Sequence, residues 1–258
     1  MEALEFELIS ENPERIQSIL TERFSRKGNI SNYFLQKPDG TSRLYYTEHS
    51  AIMVVSLESF CRLFFITSDK DDFCSLINEL PPDRYVINYP TKGSVDEVDA
   101  LLHRCGFQHT DTFVRMNNTR FKEGKLDKGV YADKSQCEQI IPLLRRHFTD
   151  YLSYIPDKDE LENLMDKKCV IINTEEDKVS GVMVFEFQGK KAYFRIWCDE
   201  GKNGLKLLTE AFSLVANNGI RYVYNWINES NKVSMSVYKF FGSQPDGLKD
   251  YVYLKTIS

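Results

Sequence analysis

Four residues near the C-terminus stand at a spacing that could serve chemistry: Asn231, Ser234, Tyr238 and Gly242. A phenol can donate a proton, and an asparagine amide can both donate and accept hydrogen bonds. Upstream, Glu200-Gly201-Lys202-Asn203-Gly204-Leu205 lies between a strand-like run and an amphipathic stretch. The first amides of a helix and its dipole attract anions, so this turn could cradle a phosphate. Lys202 and Lys206 add positive charge there. Glu186, Asp199 and Glu229 are the carboxylates that could take a proton, and each has a plainer reading as a solvated surface acid. Cys198 follows Trp197 at a strand end; without a nearby histidine it reads as an inert thiol rather than a nucleophile. Tyr238 could equally be a packing side chain, Asn231 an N-cap, the turn an ordinary surface turn, and Trp197 and Trp226 core aromatics rather than walls of a pocket.

The elements that must position these residues follow from periodicity. Asn12-Pro13 opens a helix carrying Ile16, Ile19, Leu20 and Phe24. Strand-like runs come next at 32–36, 43–47, 51–57 and 62–67, with Asp39-Gly40 as a turn between the first two. Helices are expected at 71–80 and 95–104 and strands at 84–89 and 108–116, with Gly106 closing the second helix. Residues 119–128 are polar and form the best linker. Ser135 and Glu138 then read as a capping box, opening a helix in which Pro142 predicts a late start or a kink. A helix at 159–166, strands at 169–173, 179–188 and 191–197, and a helix at 204–217 follow. That last helix shows Leu205, Leu208, Ala211, Phe212 and Val215 on one side. A strand at 220–227, a helix at 232–241 and a strand at 251–255 end the chain.

This order occurs twice. Ala51-Ile-Met-Val-Val matches Gly181-Val-Met-Val-Phe, and Leu63-Phe-Phe-Ile matches Tyr193-Phe-Arg-Ile, both offset by 130 residues. Arg84-Tyr-Val-Ile-Asn matches Arg221-Tyr-Val-Tyr-Asn at 137, so the second copy gains its extra residues around the glycine-bearing turn. The first copy has Asp69, Asp71 and Asp72 there and no glycine, and carboxylates would repel a phosphate. Leu102 stands where Tyr238 would be, and a leucine has no proton to give. The expected division is 1–118, a linker at 119–128, and 129–258.

Composition narrows the field. The chain has 258 residues, 42% hydrophobic, with formal net charge -5 and no basic tract, which argues against nucleic acid as a partner. No apolar stretch of membrane-spanning length and no signal-peptide pattern occur, so no membrane partner is expected. The six cysteines lack CxxC spacing and only four histidines exist, so no metal site is expected. Scattered cysteines suggest a reducing, cytoplasmic setting.

The spacing of Asn231, Ser234, Tyr238 and Gly242 resembles the Asn-x-x-Ala-x-x-x-Tyr-x-x-x-Gly-Phe pattern of the GNAT superfamily of N-acyltransferases, with Ser234 for the alanine and Ser243 for the closing phenylalanine. The turn resembles that family's Arg/Gln-x-x-Gly-x-Gly/Ala pyrophosphate loop, departing from it at Glu200 and Leu205. The resemblance implies an α+β fold with a mixed sheet, present as two tandem GNAT-like copies, the first degenerate. It implies acetyl-CoA or another acyl-CoA as co-substrate, held by Ile196, Trp197, Cys198, Gly201, Lys202, Asn203, Gly204, Leu205, Asn231 and Ser234. It implies Tyr238 as the acid for the leaving thiolate; the base is read from position alone, Glu186, Glu229 or Asp199 beside the central strands, or a chain of waters. The acceptor would be a small-molecule or peptide amine approaching near 148–159, where Tyr151 and Tyr154 lie. A homodimer is compatible with such a chain. Two other functions fit the fold: a non-catalytic binding or regulatory protein, and a transferase using aminoacyl-tRNA.

Overall fold

The computed structural model describes residues 5–8, 13–32, 42–125 and 131–257. The expected Asn12 cap, the strand beyond Asn32, the turn at Asp39-Gly40 and residues 126–128 of the expected linker lie outside them. The chain forms two compact units, Met1–Thr112 with Lys249–Ser258, and Phe113–Leu248. These units differ from the sequence division at 118 and 129, because each copy lends its closing strand to the other's unit.

The first unit contains β1 (Glu5–Leu8), α1 (Pro13–Ser25), β2 (Ile30–Ser31), β3 (Arg43–Tyr46), β4 (Ser50–Ser56), β5 (Cys61–Thr67), α2 (Lys70–Asn78), β6 (Asp83–Thr91) and α3 (Asp96–Arg104). β1, β3, β4 and β5 pair antiparallel in that order, and β5 meets β6 in parallel. Helix α1 packs Ile16 and Leu20 with Phe64 and Ile66 on one face. Leu63 and Phe65 face the other way, against α2 and α3. This two-sided burial is why β5 reads as an unbroken apolar run rather than an alternation.

The second unit contains the 113–118 part of β7 (Gln108–Asn118), a 3₁₀ turn (Lys134–Gln136), α4 (Cys137–His147), α5 (Lys158–Asp166), β8 (Val170–Glu175), β9 (Lys178–Gln188), β10 (Lys191–Asp199), α6 (Gly204–Asn217), β11 (Tyr222–Asn228) and α7 (Lys232–Phe240). β8, β9 and β10 pair antiparallel, β10 and β11 in parallel, and β11 meets β7 antiparallel. β12 (Gln244–Ile257) begins in this unit and ends in the first, where it pairs with β6 from Lys249↔Thr91 to Ile257↔Asp83.

Packing follows the exchange of strands. Val114 and Met116 of β7 belong to the core that α4, α5 and α6 build. Tyr253 of β12 is fully buried in the first unit's core, and its hydroxyl donates to Asp99 Oδ1 at 3.0 Å.

Three local expectations change. The capping box is formed by Asp133 and Gln136, not by Ser135 and Glu138. Asp133 accepts from Ser135 N at 2.9 Å and its own N–H donates to Gln136 Oε1 at 2.8 Å. Leu205 is 54% exposed rather than part of the apolar face of α6, which buries Leu207, Leu208, Ala211, Phe212, Leu214 and Val215. The offset of 130 does not carry from β5 to β10: Phe64 packs under α1, whereas Phe194 packs on Phe212 of α6 at 5.0 Å. Side chains alternate with period two, so a small register difference moves a residue to the opposite face.

A disulfide links Cys74 of α2 to Cys105, just after α3. Nothing in the spacing of the cysteines announced it. The other four cysteines are free and buried.

Candidate active site

The strands that the sequence singled out part where the site would need them to. β10 and β11 pair from Lys191↔Tyr222 to Phe194↔Asn225, and β10 then runs on to Asp199 beside β9 alone. The register between β9 and β10 shifts between Phe194 and Ile196, which makes Arg195 the extra residue of a bulge. A bulge bends and twists its strand, here just where the partner on the other side is lost. Among the described residues, no strand pairs with the β11-facing edge of 195–199.

Arg195 is locked in place. Its side chain is 4% exposed; Nη1 donates to Glu160 Oε1 at 2.7 Å and to Glu186 Oε1 at 3.1 Å. Nε and Nη2 donate to the Tyr154 carbonyl at 3.0 and 2.9 Å, and the guanidinium lies over the Tyr154 ring at 4.5 Å. Neither Arg195 nor this clasp was legible in the sequence. It ties the aromatic loop before α5 to the bulge and engages Glu186, one of the expected bases.

Beyond the bulge, Ile196 and Cys198 point into the core. Burial pushes the Cys198 thiol up to about 12, so it stays protonated near neutral pH and is no nucleophile. Trp197 faces the other side. Its ring meets the Tyr238 ring edge-on, with centroids 5.9 Å apart and planes at 89°. Its Nε1 is buried without a partner among the described residues.

The turn after β10 is shaped by its neighbours. Glu200 takes the guanidinium of Arg146 in two hydrogen bonds, 3.1 and 2.9 Å, and meets His147 Nε2 at 2.9 Å, so the acid is engaged by a guanidinium and an imidazole at the end of α4. These bonds hold its carboxyl below the usual range. A Cβ on Gly204 would lie 3.1 Å from Asp199 Cβ and 3.4 Å from Trp197 Cζ2, so a side chain there would press the helix start a few tenths of an ångström away from the strand. Asn203 makes no side-chain cap for α6, and its carbonyl accepts from Asn173 Nδ2 at 3.0 Å. The amide of Lys202 donates to Glu175 Oε1 at 3.2 Å.

Tyr238 is 4% exposed on α7, and burial raises its phenol above the ordinary value. Asn231 is the N-cap of that helix, with Oδ1 accepting from Ser234 N at 2.9 Å. Gly242 ends the helix with φ 92°, a conformation that glycine adopts without strain. Asn118 of β7 donates from Nδ2 to the Phe241 carbonyl at 2.8 Å, so the closing strand from the first copy supports the tyrosine helix. Glu229 lies in the turn between β11 and α7, where its carbonyl accepts from Lys232 Nζ at 2.7 Å. Trp197, Gly204 and Tyr238 thus stand together, while Glu186 belongs to the Arg195 clasp.

The first unit has the same parting and closes it. β5 and β6 pair at Cys61↔Tyr85 and Arg62↔Val86, after which β2 lies along the end of β5. Asn32 completes the filling. Its Oδ1 accepts from Phe65 N at 2.6 Å, and its Nδ2 donates to the carbonyls of Leu63 at 3.0 Å and Asn88 at 2.9 Å. Next door, Asp69 caps α2 by accepting from the amides of Asp71 and Asp72. The chain's own groups satisfy both the strand edge and the helix start.

The second unit carries backbone groups of the kind that could hold an acyl-CoA. The edge of β10 beyond the bulge can bond an amide-bearing arm, as Asn32 does in the other copy. The uncapped start of α6 and the Lys202 amide can take a diphosphate, and a carboxylate already sits on that amide.

No protein-family model matches the chain. No curated protein matches it either. Solved structures do. A GCN5-related N-acetyltransferase from Sphaerobacter thermophilus superposes with TM-score 0.59 at 12% identity, over 93% of this chain and 85% of that one. A tandem GNAT protein from the clavulanic acid biosynthesis pathway gives TM-score 0.57 at 9% identity, covering 98% of each chain. A putative acetyltransferase from Pyrococcus horikoshii gives TM-score 0.55 at 12% identity, over 100% of this chain and 91% of that one. At such identities the likeness is one of architecture. The order of strands and helices, the parting of β10 from β11 and these superpositions agree that the chain has the GNAT acyltransferase fold.

Proposed function

We propose that the chain is an acyl-CoA-dependent N-acyltransferase that moves an acetyl group from acetyl-CoA to the primary amine of a small molecule or peptide, using the site in Phe113–Leu248 alone. The observation that carries this reading is the contrast between the two partings: Asn32 fills one, and the other adjoins a glycine-bearing turn and a buried phenol.

A bound acyl thioester supplies the activated carbonyl, and the amine nitrogen bonds to it as the carbon–sulfur bond breaks. The backbone of Ile196 to Cys198 would bond the donor's arm, and Gly201, Lys202, Asn203, Gly204 and Leu205 would frame its diphosphate. Asn231 and Ser234 are bonded to each other and would act by fixing the start of α7. Tyr238 would donate a hydrogen bond to the departing sulfur. A thiol has an ordinary pKa of about 8.5, so a phenol raised above 10 stabilises the thiolate without giving up its proton fully. Glu229 serves as base in this proposal, and Glu186 holds Arg195. No nucleic-acid or membrane partner goes with this reading, and the Cys74–Cys105 disulfide removes the cysteine argument for a reducing setting.

Isothermal titration of the full chain with acetyl-CoA tests it: one site per chain is expected. No heat of binding would leave the non-catalytic reading, and two sites would contradict the filling of the first parting.

A further inference from the structure

We propose that Glu175 is a built-in competitor for the anion-binding turn and thereby sets the affinity of the donor site; this rests on reading that turn as the cradle of a diphosphate. Glu175 is the last residue of β8, and the hairpin turns at once through Glu176 and Asp177, whose φ angles are 51° and 60°. This tight return brings Glu175 over the turn after β10. Its Oε1 accepts the Lys202 amide, and its carboxylate lies so close to Gly201 that a Cβ there would collide with it.

The polar groups around this contact are incompletely served. Ser180 Oγ, which would stand 3.2 Å from a Cβ on Gly201, is buried without a partner among the described residues, and so is Asp199 Oδ1 beside Gly204. The Glu175 carboxylate covers an amide of this turn beside the Ser180 hydroxyl, a group able to donate to an anion, whereas Asp199 Oδ1 can only accept.

The equivalent contact in the first unit differs in kind. Asp69 immediately precedes α2 and caps it, so it cannot leave without uncapping the helix. Glu175 is exposed, comes from a separate hairpin and caps no helix. It can rotate away, and an arriving diphosphate must drive it away, both to reach the Lys202 amide and to avoid like-charge repulsion. Part of the donor's binding free energy is spent on that displacement, and anions that bind weakly fail to displace it.

The test is calorimetric titration of coenzyme A into the full chain, comparing wild type with Glu175→Ala, Glu175→Gln and Glu176→Ala. Removing one charge-assisted competitor should tighten binding by about 10-fold in Glu175→Ala, roughly one hydrogen bond to a charged group. Glu175→Gln should gain part of this, and Glu176→Ala less than about 2-fold, since Glu176 carries the same charge at the hairpin tip. Equal affinity in all four proteins, or an equal gain in Glu176→Ala, overturns the competitor while leaving the donor site standing. No binding by any of the four overturns the donor site and the competitor with it.

Discussion

Asn32 donates from its side-chain amide to the carbonyl of Asn88 at 2.9 Å, tying β6 to the segment that lies along β5. The same side chain serves Leu63 and Phe65 of β5, so one amide closes the parting between two strands. Replacing Asn32 with alanine leaves a buried amide and two carbonyls short of partners. Urea denaturation should show a loss of about 2–3 kcal/mol, and titration with acetyl-CoA should still show a single site, because Asp69 keeps the start of α2 occupied.

Tyr238→Phe keeps the ring against Trp197 and removes only the hydroxyl. Donor affinity should stay within about 2-fold while turnover falls about 100-fold, the usual scale of a lost proton-donating group. Since burial raises this phenol, its ionisation should place no alkaline limb in the wild-type rate profile below the ordinary phenol value of about 10. Equal turnover in the variant would remove Tyr238 from the mechanism.

Arg195 is buried between Glu160 and Glu186 and holds the Tyr154 carbonyl. Arg195→Met takes the counter-charge from two carboxylates that are each about a third exposed and frees the Tyr154 carbonyl, a change that should cost about 1–3 kcal/mol. Chemical denaturation would measure it, and Arg195→Lys should recover part of the loss.

Asp250 links stability to pH. Burial raises its carboxyl to about 6, against the hydrogen bond it accepts from Asn88 at 2.8 Å. Because the folded-state value lies above the unfolded one, its favourable contribution is complete below the unfolded value of about 3.9 and is lost as pH rises through about 6. Between those limits wild type should lose up to about 1.4 kcal/mol per pH unit relative to Asp250→Asn. Thermal midpoints of the two proteins across pH 4 to 7 would show it as a narrowing gap or a crossing.

Cys74 and Cys105 should be unreactive until reduced. Thiol titration in denaturant should find four groups before reduction and six after, matching the four free cysteines. Closing a loop of 31 residues stabilises a fold by about 3–4 kcal/mol on chain-entropy grounds, so reduction should lower the midpoint of the whole chain.

Apart from β1 and β2, the sequence by itself determined the order of elements, the strands and helices that carry Trp197, Gly204 and Tyr238, and the lack of a phenol or a glycine turn in the first copy. These depend on local periodicity, on glycine and on which side chains can donate a proton, all of which are written along the chain. Tertiary structure alone decided four things. The bulge at Arg195 depends on register with β9, and the filling by Asn32 depends on a segment about thirty residues before the strand it meets. The exchange of β7 and β12 between units depends on which edge each closing strand finds. The seat of Glu175 on Lys202 joins residues 27 apart through a hairpin return. Pairings between strands leave no mark on spacing, because any apolar strand offers the same backbone groups to its neighbour.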